Sequence, residues 1–288
     1  MNHRRMFALA SIAVSAMLAI APSAGAAVPR DSATTPHPTA AARAAGVSKA
    51  GEAHMGWSQP HTTLKSTATS TVKPSAALAL PTPAVYGIDV FSGQGNVNWA
   101  SWWKAGKRFV WVKATEGTGY TNPYFGSQYT GSYRQGFIRG AYHYALPDRS
   151  TGATQANYFS SRGGGWSGDR RTLPGALDIE WNPYGATCYG KSKAAMAAWI
   201  RSFSDTYKAR WHKYPIIYTA WSWWSQCVGS YSFSSTNPLW VARYASSVGV
   251  LPHNWRYYTV WQYSSSPIDQ NVFNGSMSQL IAFATNRD

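Results

Sequence analysis

The feature that most constrains the fold of this chain is a series of short apolar runs, separated by helical patterns, that begins at residue 85. Strands that are buried on both faces and alternate with helices are typical of parallel βαβ units, and seven of them in about 200 residues favour a barrel over a sandwich. The spacers after Thr219 are short and hold little helix. The sequence therefore predicts the α/β class, as a single irregular (β/α) barrel of the TIM-barrel type whose final strands are poor in helix. The candidate strands are residues 85–90, 109–114, 139–145, 175–180, 215–219, 239–244 and 257–263, and the clearest helix is residues 191–210.

The first 83 residues have the composition of export and linker segments. Two arginines, an uncharged and mostly apolar run and a small-residue Ala-Gly-Ala site are typical of a secretory signal peptide over residues 1–26. Residues 27–83 are rich in Ala, Ser, Thr and Pro and hold too little apolar surface to offset the entropy of ordering, so we predict a disordered pro-segment or linker. All of the 15 tryptophans except Trp57 follow, in the predicted barrel domain of residues 84–288. We therefore expect a secreted, extracellular protein.

The two cysteines and the charge of the chain agree with export. Cys188 and Cys227 favour one disulfide in an oxidising compartment, which would close a loop of about 40 residues and stabilise the fold by roughly 4 kcal/mol. Two buried free thiols are the alternative. The formal net charge is +15, which favours attraction to polyanions such as nucleic acid, anionic membranes or the acidic polymers of a bacterial wall. Charge alone does not distinguish these partners.

Acidic residues are scarce, and three of them fall in or at the carboxyl ends of predicted strands. These are Asp89, Asp178 and Glu180, among only 11 acidic residues in the chain. In a parallel barrel, the carboxyl ends of the strands form the face that carries active sites. Side chains two residues apart in a strand project to the same side, roughly 7 Å apart along the backbone, so Asp178 and Glu180 are predicted to lie together.

Two neighbouring carboxyl groups have a chemical property that suits sugar hydrolysis. Like charges repel and burial disfavours ionisation, so one of the two groups is expected to keep its proton near neutral pH. A protonated acid beside an ionised one is what glycoside hydrolysis requires. The alternative is that such acids pair with Arg or Lys for structural reasons. We favour that alternative for Glu116, which has a local partner in Lys113.

Aromatic residues in the predicted strands suit a carbohydrate ligand, because the apolar faces of sugar rings pack on Trp and Tyr. Any one of these residues also suits a core-packing role. The predicted substrate-binding residues are Tyr142, Tyr144, Tyr218, Trp240 and Tyr244. The sequence lacks an H-E-x-x-H zinc motif, a G-x-S-x-G nucleophile motif and a phosphate-binding glycine loop, so we expect no metal and no cofactor.

Five blocks of sequence follow one another in a characteristic order and spacing. They are residues 87–90 with 94–95 and 99, residues 113–117, residues 140–144, residues 177–180, and residues 261–263 leading to 269–271. In that order they resemble the glycoside hydrolase family 25 lysozymes over residues 85–275. The stretches around the two cysteines resemble those of the family's actinobacterial secreted members. One departure is that Phe91 and Gly93 stand where members often carry Ser and an aromatic residue.

The resemblance implies a β-1,4-N-acetylmuramidase that acts on bacterial peptidoglycan within a flattened, irregular (β/α) barrel. It implies that Glu180 is the general acid, that Asp178 is its partner, and that Asp89 and Asp269 complete an acidic pocket. The role of Asp269 rests on the resemblance alone. Two routes remain open. Either Asp178 or Asp89 attacks the anomeric carbon, or the substrate's N-acetyl group attacks while Asp178 orients it. We favour the second route, because the Asp-x-Glu spacing resembles that of substrate-assisted chitinases.

Three other functions compete with this interpretation. The chitinase signature needs acids two and five residues before Asp178, where this chain has Ala176 and Leu173. A wall-binding module without activity has no need for clustered acids that repel one another. A nucleic-acid binder would interleave its aromatic residues with Lys and Arg in exposed stretches. We therefore expect a monomeric enzyme that acts on peptidoglycan, is attracted to anionic wall polymers, and has no nucleic-acid or membrane partner.

Overall fold

The computed structural model describes residues 36–59 and 83–288 of the chain. The predicted signal peptide, residues 1–26, lies outside the described residues, as do the parts of the predicted pro-segment at 27–35 and 60–82. None of the helices in the described ranges is both long enough and apolar enough to cross a membrane.

The described residues contain nine strands and seven α-helices. The strands are β1 (Val85–Val90), β2 (Lys107–Glu116), β3 (Tyr120–Thr121), β4 (Ile138–Tyr144), β5 (Ala176–Asp178), β6 (Ile216–Thr219), β7 (Leu239–Ala242), β8 (Val260–Ser264) and β9 (Gln270–Phe273). The helices are α1 (Ala40–Ala44), α2 (Trp99–Lys104), α3 (Phe125–Gln135), α4 (Gly152–Ser161), α5 (Lys193–Trp211), α6 (Trp221–Cys227) and α7 (Met277–Thr285).

The sheet closes on itself to form a barrel. Its order is β1-β9-β8-β7-β6-β5-β4-β2-β3, and β1 also pairs with β2, so that every strand except the short β3 belongs to a closed ring. Neighbouring strands from β1 through β8 in the ring are parallel, whereas β9 is antiparallel to both β8 and β1. The predicted α/β barrel is confirmed.

The last third of the barrel is irregular, as predicted. The short α6 joins β6 to β7, but no helix separates β7 from β8, or β8 from β9. An antiparallel neighbour needs only a tight connection, whereas a parallel one needs a longer crossover. The β9 strand was not among the predicted strands, because two of its four residues are the amides Gln270 and Asn271.

The interior of the barrel is filled with aromatic side chains. Residues alternate between the two faces of a strand, and in β2 the side chains of Phe109 and Trp111 join a buried cluster to which nearly every strand contributes. Their neighbours Val110 and Val112 instead pack towards α2 and α3. The ring centroids of Trp111 and Trp240 lie 4.7 Å apart across the interior. The barrel is therefore packed at its centre, which leaves the strand ends for a site.

The longest helix, α5, agrees with its sequence pattern. The Ser192 side chain caps its first turn by accepting a hydrogen bond from the Ala195 amide. Its residues Trp199, Phe203 and Tyr207 are buried against the sheet, whereas Ala195, in the first turn, is exposed. A disulfide joins Cys188, just before this helix, to Cys227 at the end of α6. The predicted disulfide is confirmed.

Residues 36–59, here called the N-terminal segment, differ from the expectation of disorder. The segment belongs to the same compact unit as the barrel. It begins with α1, which Thr39 caps, and then continues through turns to residue 59. Met55 is fully buried and Trp57 is only 6% exposed. The average composition of the segment does not predict this order. A few apolar residues bury surface against the barrel, and that burial offsets the entropy cost of ordering the segment, which the segment could not offset alone.

Candidate active site

The four predicted catalytic acids lie together at one end of the barrel. Asp89 is in β1, Asp178 ends β5, Glu180 follows two residues later, and Asp269 immediately precedes β9. Because β9 is antiparallel, its first residues lie beside the carboxyl end of β1, and the Asp89 amide donates to the Asp269 carbonyl oxygen at 3.4 Å. All four side chains are buried, with at most 5% exposed.

Asp89 is held by two side-chain amides. Its Oδ2 atom accepts hydrogen bonds from Asn271 Nδ2 at 2.7 Å and Gln262 Nε2 at 3.0 Å. Burial raises the pKa of Asp89 to about 6, although these hydrogen bonds act in the opposite direction by favouring the carboxylate. Gln262 is itself fixed, because Oε1 accepts from the hydroxyls of Tyr218 at 2.7 Å and Tyr244 at 3.1 Å. Asp89 is therefore a rigidly held carboxyl group.

Glu180 and Asp178 have no such amide support from the barrel. Burial raises the pKa of Glu180 to about 8. Burial and then the neighbouring charge of Glu180 raise the pKa of Asp178 well above its ordinary range. Within the described residues, the Asp178 carboxyl group interacts with that of Glu180, and no other donor reaches its oxygens. Burial, followed by the charge of Asp89, likewise raises the pKa of Asp269.

This arrangement can supply a proton and accept one at neutral pH. Glu180 still carries its proton there, whereas Asp89, whose pKa is about 6, is the acid best placed to ionise. An acid and an ionised carboxylate in one buried pocket are the two components that glycosidic bond cleavage needs. The predicted gathering of Asp178 and Glu180 is seen, although β5 ends at Asp178 and Glu180 lies just beyond it.

Glu116 occupies a different environment at the end of β2. Its Oε2 atom lies 2.5 Å from Lys113 Nζ, and both side chains are buried. Its Oε1 atom accepts hydrogen bonds from the hydroxyl of Tyr184 and from the amide of Gly51 at 3.2 Å. The structure thus shows the local partner that the sequence predicted for Glu116.

The predicted sugar-binding aromatic residues fall into two groups. Trp240 packs between Trp111 and Tyr218, with ring centroids 4.7 and 5.2 Å away, and it donates from Nε1 to Asn271 Oδ1 at 2.9 Å. Its environment is that of a core residue. The others bring hydroxyl groups towards the acids. Tyr142, Tyr144 and Tyr218 are fully buried, and Tyr244 is partly exposed.

Sequence reasoning missed two side chains that build the pocket, Gln262 and Asn271. The signal that could have found Gln262 is an amide inside an otherwise apolar strand segment, because a buried amide needs hydrogen-bond partners. Asn271 gives no such signal, because it follows a second amide, Gln270. Gln262 and Asn271 both donate a hydrogen bond to Asp89, which is thus one of the partners that they need. Within the described ranges, no group of three or more His, Cys, Asp or Glu side chains is arranged to hold a metal ion.

Comparison with known proteins identifies the family to which this site belongs. The family model "Glycosyl hydrolases family 25" matches residues 88–272, which span the barrel from β1 into β9. The chain belongs to this family. It is therefore a glycoside hydrolase, and the resemblance predicted from the five sequence blocks is confirmed.

Three relatives illustrate the match of this family 25 chain. Lysozyme M1 of Streptomyces globisporus is 48% identical, over 71% of this chain and 73% of the relative. The N,O-diacetylmuramidase of Chalaropsis sp is 51% identical, over 70% of this chain and 99% of the relative. The solved muramidase of Acremonium alcalophilum is 52% identical, with a TM-score of 0.69, over 70% of this chain and 99% of that one. The last two proteins thus consist almost wholly of the matched part.

Proposed function

We propose that this protein is a secreted lysozyme that hydrolyses the β-1,4 bond between N-acetylmuramic acid and N-acetylglucosamine in bacterial peptidoglycan. The observation that carries the proposal is the group of four buried carboxyl groups, Asp89, Asp178, Glu180 and Asp269, at one end of a family 25 barrel. The names of two relatives, Lysozyme M1 and N,O-diacetylmuramidase, support the same activity.

Glu180 is the proposed general acid. Its pKa of about 8 means that it holds a proton at neutral pH, and burial is the main cause. As the bond between the anomeric carbon and the glycosidic oxygen breaks, the proton passes from Glu180 to that oxygen, so that the leaving sugar departs as an alcohol. No ion pair within the described part of the chain involves Glu180 or Asp178. A nearby cation in contact would instead favour the ionised form of Glu180.

Asp178 is the proposed partner of the acid. In the route that we favour, the carbonyl oxygen of the substrate's N-acetyl group attacks the anomeric carbon, and Asp178 orients this group by accepting from its N–H. Apart from the Glu180 carboxyl group, no donor within the described residues reaches the oxygens of Asp178, which supports that role. Water then attacks the anomeric carbon, the bond between that carbon and the N-acetyl oxygen breaks, and the water gives a proton to Glu180, which restores the starting state.

The other route is a direct attack on the anomeric carbon by Asp178 or Asp89. Apart from the carboxyl group of Asp269, no donor within the described residues reaches Asp89 Oδ1, and the Asp89 pKa of about 6 is lower than the Glu180 pKa of about 8. The two routes differ in their intermediates. Mass spectrometry of enzyme trapped with a fluorinated substrate would find a sugar ester on an aspartate only if the direct route operates.

The proposed activity is tested by identifying the new reducing ends that form on purified peptidoglycan. The test uses residues 84–288, which contain the family match at 88–272 and are about the 70% of this chain that covers 99% of two relatives, and a Glu180→Gln variant as control. New N-acetylmuramic acid ends that disappear in the variant would support the proposal. N-acetylglucosamine ends would indicate a glucosaminidase, and binding without new ends would contradict the enzyme proposal.

We also propose that the protein is a secreted monomer drawn to anionic wall polymers. The net charge of +15 supports the attraction to wall polymers, because long-range attraction to polyanions is stronger for a more basic protein. Salt screens such attraction, with a Debye length of about 10 Å at 0.1 M. Binding to purified walls should therefore weaken as salt rises from low to moderate concentration. Binding that does not change with salt would contradict the charge-based partner.

A further inference from the structure

The N-terminal segment enters the pocket that holds the four acids. The Gly56 amide donates to Glu180 Oε1 at 2.8 Å, and the Ser58 hydroxyl donates to Glu180 Oε2 at 3.2 Å. The Gly56 carbonyl oxygen accepts from the Tyr244 hydroxyl at 3.3 Å. Both oxygens of the proposed general acid are thus occupied by the chain's own segment, so no glycosidic oxygen can reach Glu180 while the segment stays in place.

A second set of contacts anchors the segment beside the Lys113–Glu116 ion pair. Lys113 Nζ donates to the carbonyl oxygen of Gly51 at 3.1 Å and to that of Ala53. The Gly51 amide donates to Glu116 Oε1 at 3.2 Å. Backbone groups of the segment therefore satisfy hydrogen-bonding capacity that the buried ion pair would otherwise leave unused.

Side chains of the segment cover the aromatic positions around the pocket. Trp57 donates from Nε1 to the Tyr144 hydroxyl at 2.7 Å. The His54 ring stacks on Phe91, with centroids 4.4 Å apart and planes 8° from parallel. A sugar ring that needed these surfaces would have to displace the segment.

The fit at the centre of the contact requires glycine. Gly56 has a φ of +73°, and a Cβ atom there would lie 2.1 Å from the Tyr244 hydroxyl and 2.6 Å from Gln262 Oε1. Gly46, in the same segment, also has a positive φ, of +91°, but a Cβ atom there would meet nothing within 4 Å. The two glycines share the same backbone constraint, and only one of them touches the pocket.

We infer that the N-terminal segment is an inhibitory pro-segment, which closes the carboxylate pocket and keeps the full chain in a latent form until it is displaced. This inference rests on the proposed function for its substrate. The lengths of two relatives support it. About 70% of this chain covers 99% of each of them, so a protein of the family can consist of the barrel part alone. The segment's backbone amides also present the same donors and acceptors as the N-acetyl groups of peptidoglycan.

The test compares three full chains: the natural sequence, Gly56→Ala, and Gly46→Ala as the matched control. Hydrogen exchange measured by mass spectrometry over residues 53–59 reports whether the segment occupies the pocket. The initial rate of reducing-end release from peptidoglycan reports the consequence. We expect slow exchange and a low rate in the natural chain and in Gly46→Ala, and fast exchange in Gly56→Ala. If the pocket is open in about one molecule in ten of the natural chain, the rate in Gly56→Ala rises about tenfold.

A peptide added in trans guards against a variant that is merely misfolded. A synthetic peptide of residues 36–59 should lower the rate of the Gly56→Ala chain again, and the same peptide carrying Gly56→Ala should not. Fast exchange over residues 53–59 in the natural chain would overturn the inference. Equal, measurable rates in the natural chain and Gly56→Ala would overturn it as well.

Failure of the proposed function would look different. In that case no form of the protein, including residues 84–288, would release reducing ends. Binding of a soluble tetrasaccharide of alternating N-acetylglucosamine and N-acetylmuramic acid would then decide the inference. Binding to Gly56→Ala but not to the natural chain would support closure of the pocket, and equal binding to both would overturn it.

Discussion

Two buried acidic sites lie at the same end of this barrel and differ in what surrounds them. Glu116 has a cation at 2.5 Å, the ammonium group of Lys113, and also accepts hydrogen bonds from a tyrosine hydroxyl and a backbone amide. Asp178 is equally buried, but among the described residues its carboxyl group has no cation beside it and interacts only with the carboxyl group of Glu180. Its neighbour Glu180 accepts hydrogen bonds from the N-terminal segment and has no backbone or amide donor from the barrel among the described contacts.

The difference separates a carboxylate that supports the fold from carboxyl groups that are available for chemistry. A buried charge that is paired and hydrogen-bonded is satisfied in the folded protein, and its loss is felt mainly as instability. A buried carboxyl group without a cation keeps its proton to higher pH and can give it to a substrate. Burial alone, which is the same in both sites, does not reveal which role an acid has.

Glu180→Gln should produce the largest effect on activity. A glutamine keeps the shape of the side chain but has no proton to give, and general acid catalysis contributes about 10²- to 10⁴-fold to a rate. We expect kcat for peptidoglycan to fall by about 10³-fold in residues 84–288, with no loss of folding. The measurements are steady-state rates and a urea unfolding curve. A variant that stays within tenfold of the natural rate would remove Glu180 from the proposed role.

Glu116→Gln should show the opposite behaviour. The substitution leaves the buried Lys113 ammonium group without its counter-charge, which costs about 3–5 kcal/mol in comparable buried pairs. We expect the free energy of unfolding of the full chain in urea to fall by about that amount, while residues 84–288, which lack the N-terminal segment, retain their activity per folded molecule. Adding Lys113→Met should recover part of the stability. A large loss of activity at unchanged stability would break the distinction between the two sites.

The pH dependence of kcat/KM should follow the carboxyl groups of the pocket. The general acid must be protonated, so the rate should fall as pH rises through the Glu180 pKa, which burial raises above its ordinary value. An ionised carboxylate is also required, so the rate should fall as pH drops through the Asp89 pKa of about 6. The residual activity of Glu180→Gln should lack the alkaline limb. A rate that rises steadily from pH 7 to 9 would contradict this assignment.

Trp240→Phe should have a smaller effect, and it distinguishes core packing from sugar binding. Trp240 packs against Trp111 and donates a hydrogen bond from Nε1 to Asn271. Loss of that hydrogen bond and of some packing volume should lower the free energy of unfolding by about 1–2 kcal/mol. We expect KM to stay within about twofold. A tenfold rise in KM at unchanged stability would instead restore the predicted substrate-binding role.

Much of the barrel could be predicted because its strands are buried on both faces. The predicted bounds of β1, residues 85–90, match the structure, and α5 differs from its predicted range by two residues at its start and one at its end. The polar β9 was missed, because an apolar pattern cannot reveal a strand whose amides serve a buried acid. Asp269, which immediately precedes this strand, was found only through the family resemblance.

The N-terminal segment could not be predicted, for a different physical reason. Its order comes from contacts with residues far away in sequence, such as Gly56 with Glu180 and Trp57 with Tyr144. Local composition is a measure of whether a segment can fold alone, and this one docks on another surface instead. The single tryptophan among many small and polar residues was the one available signal.

The most direct test of the distinction between the two acidic sites is a titration of Glu180. Carbon-13 NMR of the side-chain carboxyl groups of the full chain, with Glu180→Gln to assign the resonance, measures its protonation with the N-terminal segment in place. A buried carboxyl group without a cation should titrate with a midpoint of about 8. A midpoint near the ordinary value of 4.5 would show that Glu180 is ionised at neutral pH, and it would contradict the assignment of Glu180 as the general acid.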